Sequence, residues 1–164
     1  MTALEKENLC KLMAALFSPP EAEGIEQIRQ EAFLLEEYFR SWGGGAAVLF
    51  GLKTGADAET FSHELQVEYD RLFSGEKGET VSLVESCHKP WTQDAECHLS
   101  FAREKGLLIG DAAIHMAHIF QQSGVEVPEP FRACPDHLVL ELEFLSALYG
   151  EATDREAKQF IQDH

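Results

Sequence analysis

Cys134-Pro135-Asp136-His137-Leu138-Val139-Leu140-Glu141-Leu142-Glu143-Phe144-Leu145-Ser146-Ala147-Leu148-Tyr149-Gly150 is the stretch whose reading decides the fold. Leu138, Leu142, Leu145 and Tyr149 recur at three and four residues as one stripe, and Leu140, Phe144 and Leu148 form a second. That double stripe predicts a helix covered on several sides, at the centre of a bundle. Pro135 suits its first turn, where a missing N–H costs nothing, and Gly150 is expected to close it. Asp136 in that first turn is electrostatically favoured and can also hold a neighbouring loop. His137 beside it is placed to fix the preceding linker to the bundle or to contact a ligand in a groove. Glu141 and Glu143, two apart, point to different sides and form no acid/base pair. One of them, inside so apolar a helix, needs a partner at a helix end or an arginine.

Working outward from that helix, the rest of the chain also reads as helical. Thr2-Ala-Leu-Glu5 fits a capping box, and Leu9, Leu12, Met13, Leu16 and Phe17 carry a first helix from about Leu4 to Phe17, stopped by Ser18-Pro19-Pro20. Ile25, Ile28, Ala32, Leu35, Phe39 and Trp42 predict a second, ending at Gly43-Gly44-Gly45. The short apolar run Ala46 to Leu52 fits a helical turn or a strand; its helical surroundings favour helix. Asp57 can cap a third clear helix with Phe61, Leu65, Tyr69, Leu72 and Phe73 on one stripe and Gly75 as its stop. Thr80 to Val84 has strand-like composition but no partner strand, and reads as extended loop. Thr92 or Asp94 can open a helix to Lys105, and Asp111 can cap another with Ala113, Met116, Ala117 and Phe120 inward, ended by Gly124. Val127-Pro128-Glu129-Pro130 is a stiff connector. Thr153-Asp-Arg-Glu156 repeats the capping box before a last helix with Ala157, Phe160 and Ile161. The sum is seven or so helices and no sheet: an all-α, single-domain bundle over residues 1–164.

Length and charge narrow the partners. A chain of 164 residues with 45% hydrophobic content buries a core without metal or disulfide staples. A formal net charge of −16 repels phosphate backbones and anionic lipid, which argues against nucleic acid and membrane surfaces and for a cationic peptide or basic protein surface. Glu5, Lys6, Glu7 and Lys11 interrupt any signal-peptide core, and no apolar run approaches the ~20 residues of a membrane span. Cys10, Cys87, Cys97 and Cys134 are scattered with no C-x-x-C pair, the pattern of reduced thiols. The expectation is a cytoplasmic protein.

Chemistry-bearing motifs are scarce. There is no Gly-rich phosphate loop, H-E-x-x-H or G-x-S-x-G, so an enzyme is not expected and neither is a cofactor of its own. Cys87-His88 and Cys97-His98 repeat a doublet ten residues apart, which opens the alternative of a metal-binding helical protein; adjacent side chains do not converge readily on one ion, so no metal site is assigned. His115 and His118 share a helix face, but two ligands without a third fit a solvated face.

The residues also carry a resemblance. Pro135-Asp136-His137-Leu138 followed by Glu141-Leu142-Glu143-Phe144-Leu145 resembles the signature of the TorD, DmsD and NarJ group of molybdoenzyme chaperones. Tyr69-Asp-Arg-Leu72-Phe73-Ser-Gly75 is similar to that family's Y-x-x-L-F-x-G segment, Glu85-Ser86 to its E-S-x-Y segment, and Phe120 to Gly124 to its aromatic helix end. Cys134 stands where the family often has glutamate and His88 where it often has tyrosine. The resemblance implies a non-catalytic helical chaperone of the TorD-like type. Its partners would be the N-terminal twin-arginine leader and apo form of a molybdopterin oxidoreductase, bound before cofactor insertion and export. A NarJ-like assembly factor for a non-exported reductase subunit is the alternative, and nucleotide binding is a further class without a visible phosphate loop. By the same resemblance the peptide-binding residues are Leu72, Phe73, Ser86, Pro135, Asp136 and His137: Leu72 and Phe73 in a groove wall, Asp136 on a leader arginine or as a loop anchor, His137 orienting the region. In the family an F-x-x-x-H segment like Phe160 to His164 is usually followed by further helical chain. The expectation is therefore a bundle lacking its last helices, with exposed apolar surface near Phe160 or a swapped neighbour over it, as a monomer or domain-swapped dimer.

Overall fold

The computed structural model of the chain describes residues 1–41, 43, 57–74, 80–151 and 153–164. Among them are six α-helices: α1 (Ala3–Phe17), α2 (Ala22–Ser41), α3 (Ala58–Tyr69), α4 (Asp111–Ser123), α5 (Leu138–Glu151) and α6 (Asp154–Asp163). The segment Ala46 to Leu52 and the glycines Gly44, Gly45 and Gly75 lie outside the described residues. A likeness in fold to a helical bundle is complete in one respect: no strand is present among the described residues, only an isolated antiparallel bridge between Val84 and His137.

The sequence signals act locally as expected at three helix starts. Thr2 and Thr153 close full capping boxes with Glu5 and Glu156, and the Asp57 side chain accepts from the Thr60 N–H at 3.0 Å. Two cores follow. Leu12 of α1 packs with Ile28 and Leu35 of α2, and the Tyr38 hydroxyl donates to the Glu5 carbonyl at 3.1 Å across that contact. Met116 and Phe120 of α4, Leu140 of α5 and Phe160 of α6 form the second core.

α5 packs most extensively on α1. Gly150 does not end α5, which runs on to Glu151. A Cβ at Gly150 would meet the tip of the flexible Glu7 side chain of α1 at 3.0 Å, so the glycine lies beside α1 within the last turn of α5.

Two further expectations are corrected. No helix spans residues 92 to 105; the segment is a chain of turns. Its backbone bonds run across the loop instead of along it, Thr92 N to Ala102 O and Trp91 N to Glu104 O, each at 2.9 Å. Arg103 donates to the Thr92 and Asp94 carbonyls, and the Asp111 carboxylate accepts from the Gln93 N–H at 2.8 Å and the Thr92 hydroxyl at 3.0 Å. Asp111 is thereby spent on the loop and does not cap α4, where Gly110 holds the cap position. Tertiary bonds have overridden helix propensity.

The surface near Phe160 is the second correction. Phe160 is 7% exposed, with its ring 5.3 Å from that of Phe144, so the chain's own helices cover it, while its neighbour Ile161 stays 52% exposed. α6 is tied at both ends, by Lys6 to Asp154 at 2.8 Å and by Lys89 to the Asp163 carbonyl at 2.9 Å. Phe160→Ala is expected to cost about 3–5 kcal/mol through lost burial and a residual cavity. A shift of the urea unfolding midpoint measures it, and a loss under about 1 kcal/mol would mean α6 contributes little to the core.

Candidate functional site

The corner before α5 differs from its sequence reading in a way that explains its chemistry. α5 begins at Leu138, so Pro135 and Asp136 form a turn ahead of the helix and lie outside its first turn. His137 takes the cap position: its carbonyl accepts from the Glu141 N–H at 3.1 Å, and its Nδ1 accepts from the Val139 N–H at 3.2 Å. Burial holds the His137 imidazole below its usual range, against the pull of Asp136. A neutral ring is what an accepting Nδ1 requires. The ring also packs on Phe131 of the connector at 4.9 Å.

Residues 83 to 85 run antiparallel to 136 to 138. Leu138 N donates to Leu83 O at 2.8 Å and Glu85 N to Asp136 O at 2.9 Å, which gives the extended Thr80 to Val84 segment the partner that sequence could not supply. The Asp136 side chain continues the link: its Oδ2 accepts from the Ser86 N–H at 2.7 Å and from the Ser86 hydroxyl. The Ser86 oxygen in turn accepts from Gly110 N at 3.3 Å. A Cβ at Gly110 would lie 2.7 Å from the Trp91 carbonyl, so only glycine passes there. Ser86 and Asp136 therefore clamp the 84–87 loop, the start of α4 and the start of α5 together. Asp136 is 0% and Ser86 1% exposed, so neither side chain is presented at the surface. Pro135 is buried with them.

Beside the clamp lies a second buried group. Glu85, Glu141 and His164 bring ligand atoms within 4.8 Å of one another. His164 Nδ1 is 2.7 Å from a Glu85 oxygen, and Lys89 pairs with the other. Burial works to raise Glu85, but the bonds from His164 and Lys89 outweigh it and hold the carboxyl below its ordinary value. Glu141 goes the other way: burial first, then the Glu85 charge, push it up to about 9. The pair shares one proton, carried by Glu141. These three side chains are the donor set that could hold a divalent cation, with Lys89 already supplying positive charge there. The Cys-His doublets form no such group among the described residues; His88 bonds the Ser82 carbonyl at 2.7 Å. His115 stacks on His164 at 4.9 Å while His118 faces Gln122.

Leu72 and Phe73 stand elsewhere. After Tyr69 the helix widens into a π-helical turn, Asp70–Ser74, a distortion frequent at functional sites. No residue of α3 is buried: its stripe of Phe61, Leu65 and Tyr69, with Leu72 and Phe73, faces a groove of about 1050 Å³. The opposite walls are the end of α1 with Pro19 and Pro20, the start of α2, and Phe131, Val139 and Glu143. Phe73 rests on Tyr69 at 5.0 Å and near Phe17 at 6.2 Å, and the Tyr69 hydroxyl donates to the Phe17 carbonyl at 3.1 Å, fixing α3 to α1. Charged residues on the lining are Glu21, Glu68 and Glu143 against Lys11, and Lys11 is engaged by Glu7 at 2.6 Å. The structure thus divides the six expected residues. Leu72 and Phe73 line the groove; Ser86, Pro135 and Asp136 form the buried clamp; His137 joins the two through Phe131 and Val139. Sequence reasoning missed the α1–α2 wall of the groove and the Glu85–Glu141–His164 group, although Glu85 and the Phe160-to-His164 segment were both visible as motifs.

Residues 26–164 match the family model described as nitrate reductase delta subunit. A crystal structure of an Archaeoglobus fulgidus protein named for redox enzyme maturation superposes with a TM-score of 0.52 at 23% identity, over 95% of this chain and 82% of that one. No curated protein sequence matches.

Two outcomes follow for the buried groups. Asp136→Ala strands the Ser86 N–H and hydroxyl and is expected to cost about 3 kcal/mol, read from urea unfolding. Glu141 is protonated in the folded state well above its ordinary 4.5, so its contribution is whole below about pH 4.5 and is lost as pH rises towards 9. Glu85 acts in the opposite sense, losing its contribution only as pH falls below its ordinary range. Stability is therefore expected to decline between pH 5 and 9, and Glu141→Gln to flatten that decline; an unchanged slope in the variant would contradict the shared-proton arrangement.

Proposed function

Because the chain belongs to the nitrate reductase delta subunit family, the TorD/NarJ type of redox enzyme maturation chaperone, we propose that it binds the N-terminal segment of a client oxidoreductase in the groove beneath α3. The observation that carries this reading is the pairing of a large apolar groove, walled by Leu72 and Phe73, with a chain of net charge −16. An extended or helical segment with apolar side chains and basic flanks meets both demands at once: apolar surface against α3 and α1, and cations in an acidic field. Binding of this kind needs no reaction, and none is assigned. Among the described residues no helix is long and apolar enough to cross a membrane, and the reading places the chaperone in the cytoplasm, where a client awaits its cofactor.

The client segment is a twin-arginine leader in the first reading. The family description favours a second, in which the client is a reductase subunit that keeps its N-terminus unexported. Both use the same groove and differ in what the segment carries. In both, the clamp of Ser86 and Asp136 fixes the start of α5, and His137 holds Phe131 and Val139 in the groove wall.

Calorimetric titration with synthetic N-terminal peptides of molybdopterin oxidoreductases, with and without paired arginines, tests the reading. Low-micromolar binding of at least one peptide is expected, weakened about tenfold or more by Leu72→Ala or Phe73→Ala through lost apolar contact. A folded protein that binds none of them contradicts it. Preference for peptides with paired arginines supports the leader reading, and indifference to the pair supports the second.

A further inference from the structure

The two glutamates of α5 have opposite fates. Glu141 turns inward to Glu85, Lys89 and His164. Glu143, two residues on and thus on another side of the helix, is exposed at the edge of the groove. It lines two hollows at once: the large groove, and a cleft of about 180 Å³ formed with Phe120, Val127, Pro128, Leu140 and Phe144.

Both hollows are mainly hydrocarbon where Glu143 meets them. No described residue gives its carboxylate a hydrogen bond or an ion pair, and burial against those walls pushes the carboxyl above its ordinary value. Among the described residues, every other acid on the lining differs in one of these respects. Glu68 is paired with Arg71 at 2.7 Å. Glu126, on the smaller cleft, is paired with Arg132 at 3.7 Å. Glu21 lies at the far wall, beside Pro20, and touches one hollow only. Asp136, the acid that the motif singles out, is sealed at 0% exposure and bonded to Ser86.

We propose that Glu143 is the cation receptor of the groove, and that the segment bound there carries an arginine or lysine between apolar residues. Its cation sits on the Glu143 carboxylate while one apolar neighbour enters the small cleft and the rest lie along α3. An incompletely solvated carboxylate flanked by hydrocarbon gains more from such a cation than a fully hydrated one does, because less screening opposes the pair. The ordering apolar, cation, apolar is a specificity that apolar walls alone would not impose. This rests on the peptide-binding reading above.

The test uses the full chain and two synthetic peptides identical except for a central arginine or its neutral isostere citrulline, each flanked by leucines, titrated by calorimetry. Wild type is expected to prefer arginine about threefold to fivefold, and Glu143→Gln to remove the preference while still binding both. Gln keeps the side chain's shape and removes a charge held against hydrocarbon, so the variant is expected to melt no lower than wild type. Glu143→Lys should reverse the preference, favouring a peptide with central glutamate. An arginine preference that persists in Glu143→Gln overturns the assignment and leaves the groove reading standing. Folded wild-type protein that binds neither peptide, nor any client N-terminal peptide, overturns the groove reading and this inference with it.

Discussion

A carboxylate with no access to water needs donors for its charge, and at Asp136 Ser86 supplies two of them to one oxygen, Oδ2, while Oδ1 is buried without a partner among the described residues. That single buried contact couples parts of the chain fifty residues apart, because Ser86 also receives Gly110 at the start of α4. Breaking it strands donors in a place water does not reach, at a cost well above that of an ordinary surface hydrogen bond. The arrangement explains why proline, aspartate and histidine stand together: Pro135 shapes the turn, Asp136 reaches back to the loop, and His137 opens α5. Motif residues here serve position. In the binding mode we propose, contact with the peptide falls to other side chains, Leu72, Phe73 and Glu143.

The groove follows from the same placement. With α5 packed along α1, Val139 and Phe131 line the groove together with the end of α1, and α3 lines it without burying a residue of its own. An apolar stripe on a helix ordinarily finds cover within the domain. On α3 it stays partly open, joined to a π-helical turn, and this is the surface that the proposed peptide would bury. In the proposed complex the acidic balance would select among partners by sign, and Glu143 by position.

Much of this was legible beforehand, and the misses have physical causes. Capping boxes at Thr2 and Thr153 and the Asp57 cap are local chemistry, and they act where they are written. The stripes of α2 and α5 are long enough to define their faces. The failures all involve bonds between distant residues. Asp111 looks like a cap for α4 and instead holds the turn at Thr92; Arg103 draws residues 92 and 94 out of helical geometry. Pro135 sits ahead of α5 because Asp136 must point to Ser86, and nothing local announces that partner. The same limit hid the division between clamp and groove. Leu72 and Asp136 are equally conspicuous as motif residues, yet one faces open space and the other is sealed, and only the fold decides which.

The central claim is that an apolar, basic segment lies along α3 while the clamp stays closed beneath it. Titrating such a peptide into isotopically labelled protein and following methyl and amide resonances tests it directly. The account predicts that the signals of Leu65, Leu72 and Val139 and the backbone of Glu143 shift with saturation, while the amides of Ser86 and Gly110 hold still. Shifts centred on Ser86, Gly110 and Ile114, with Leu65 and Leu72 unmoved, would contradict it.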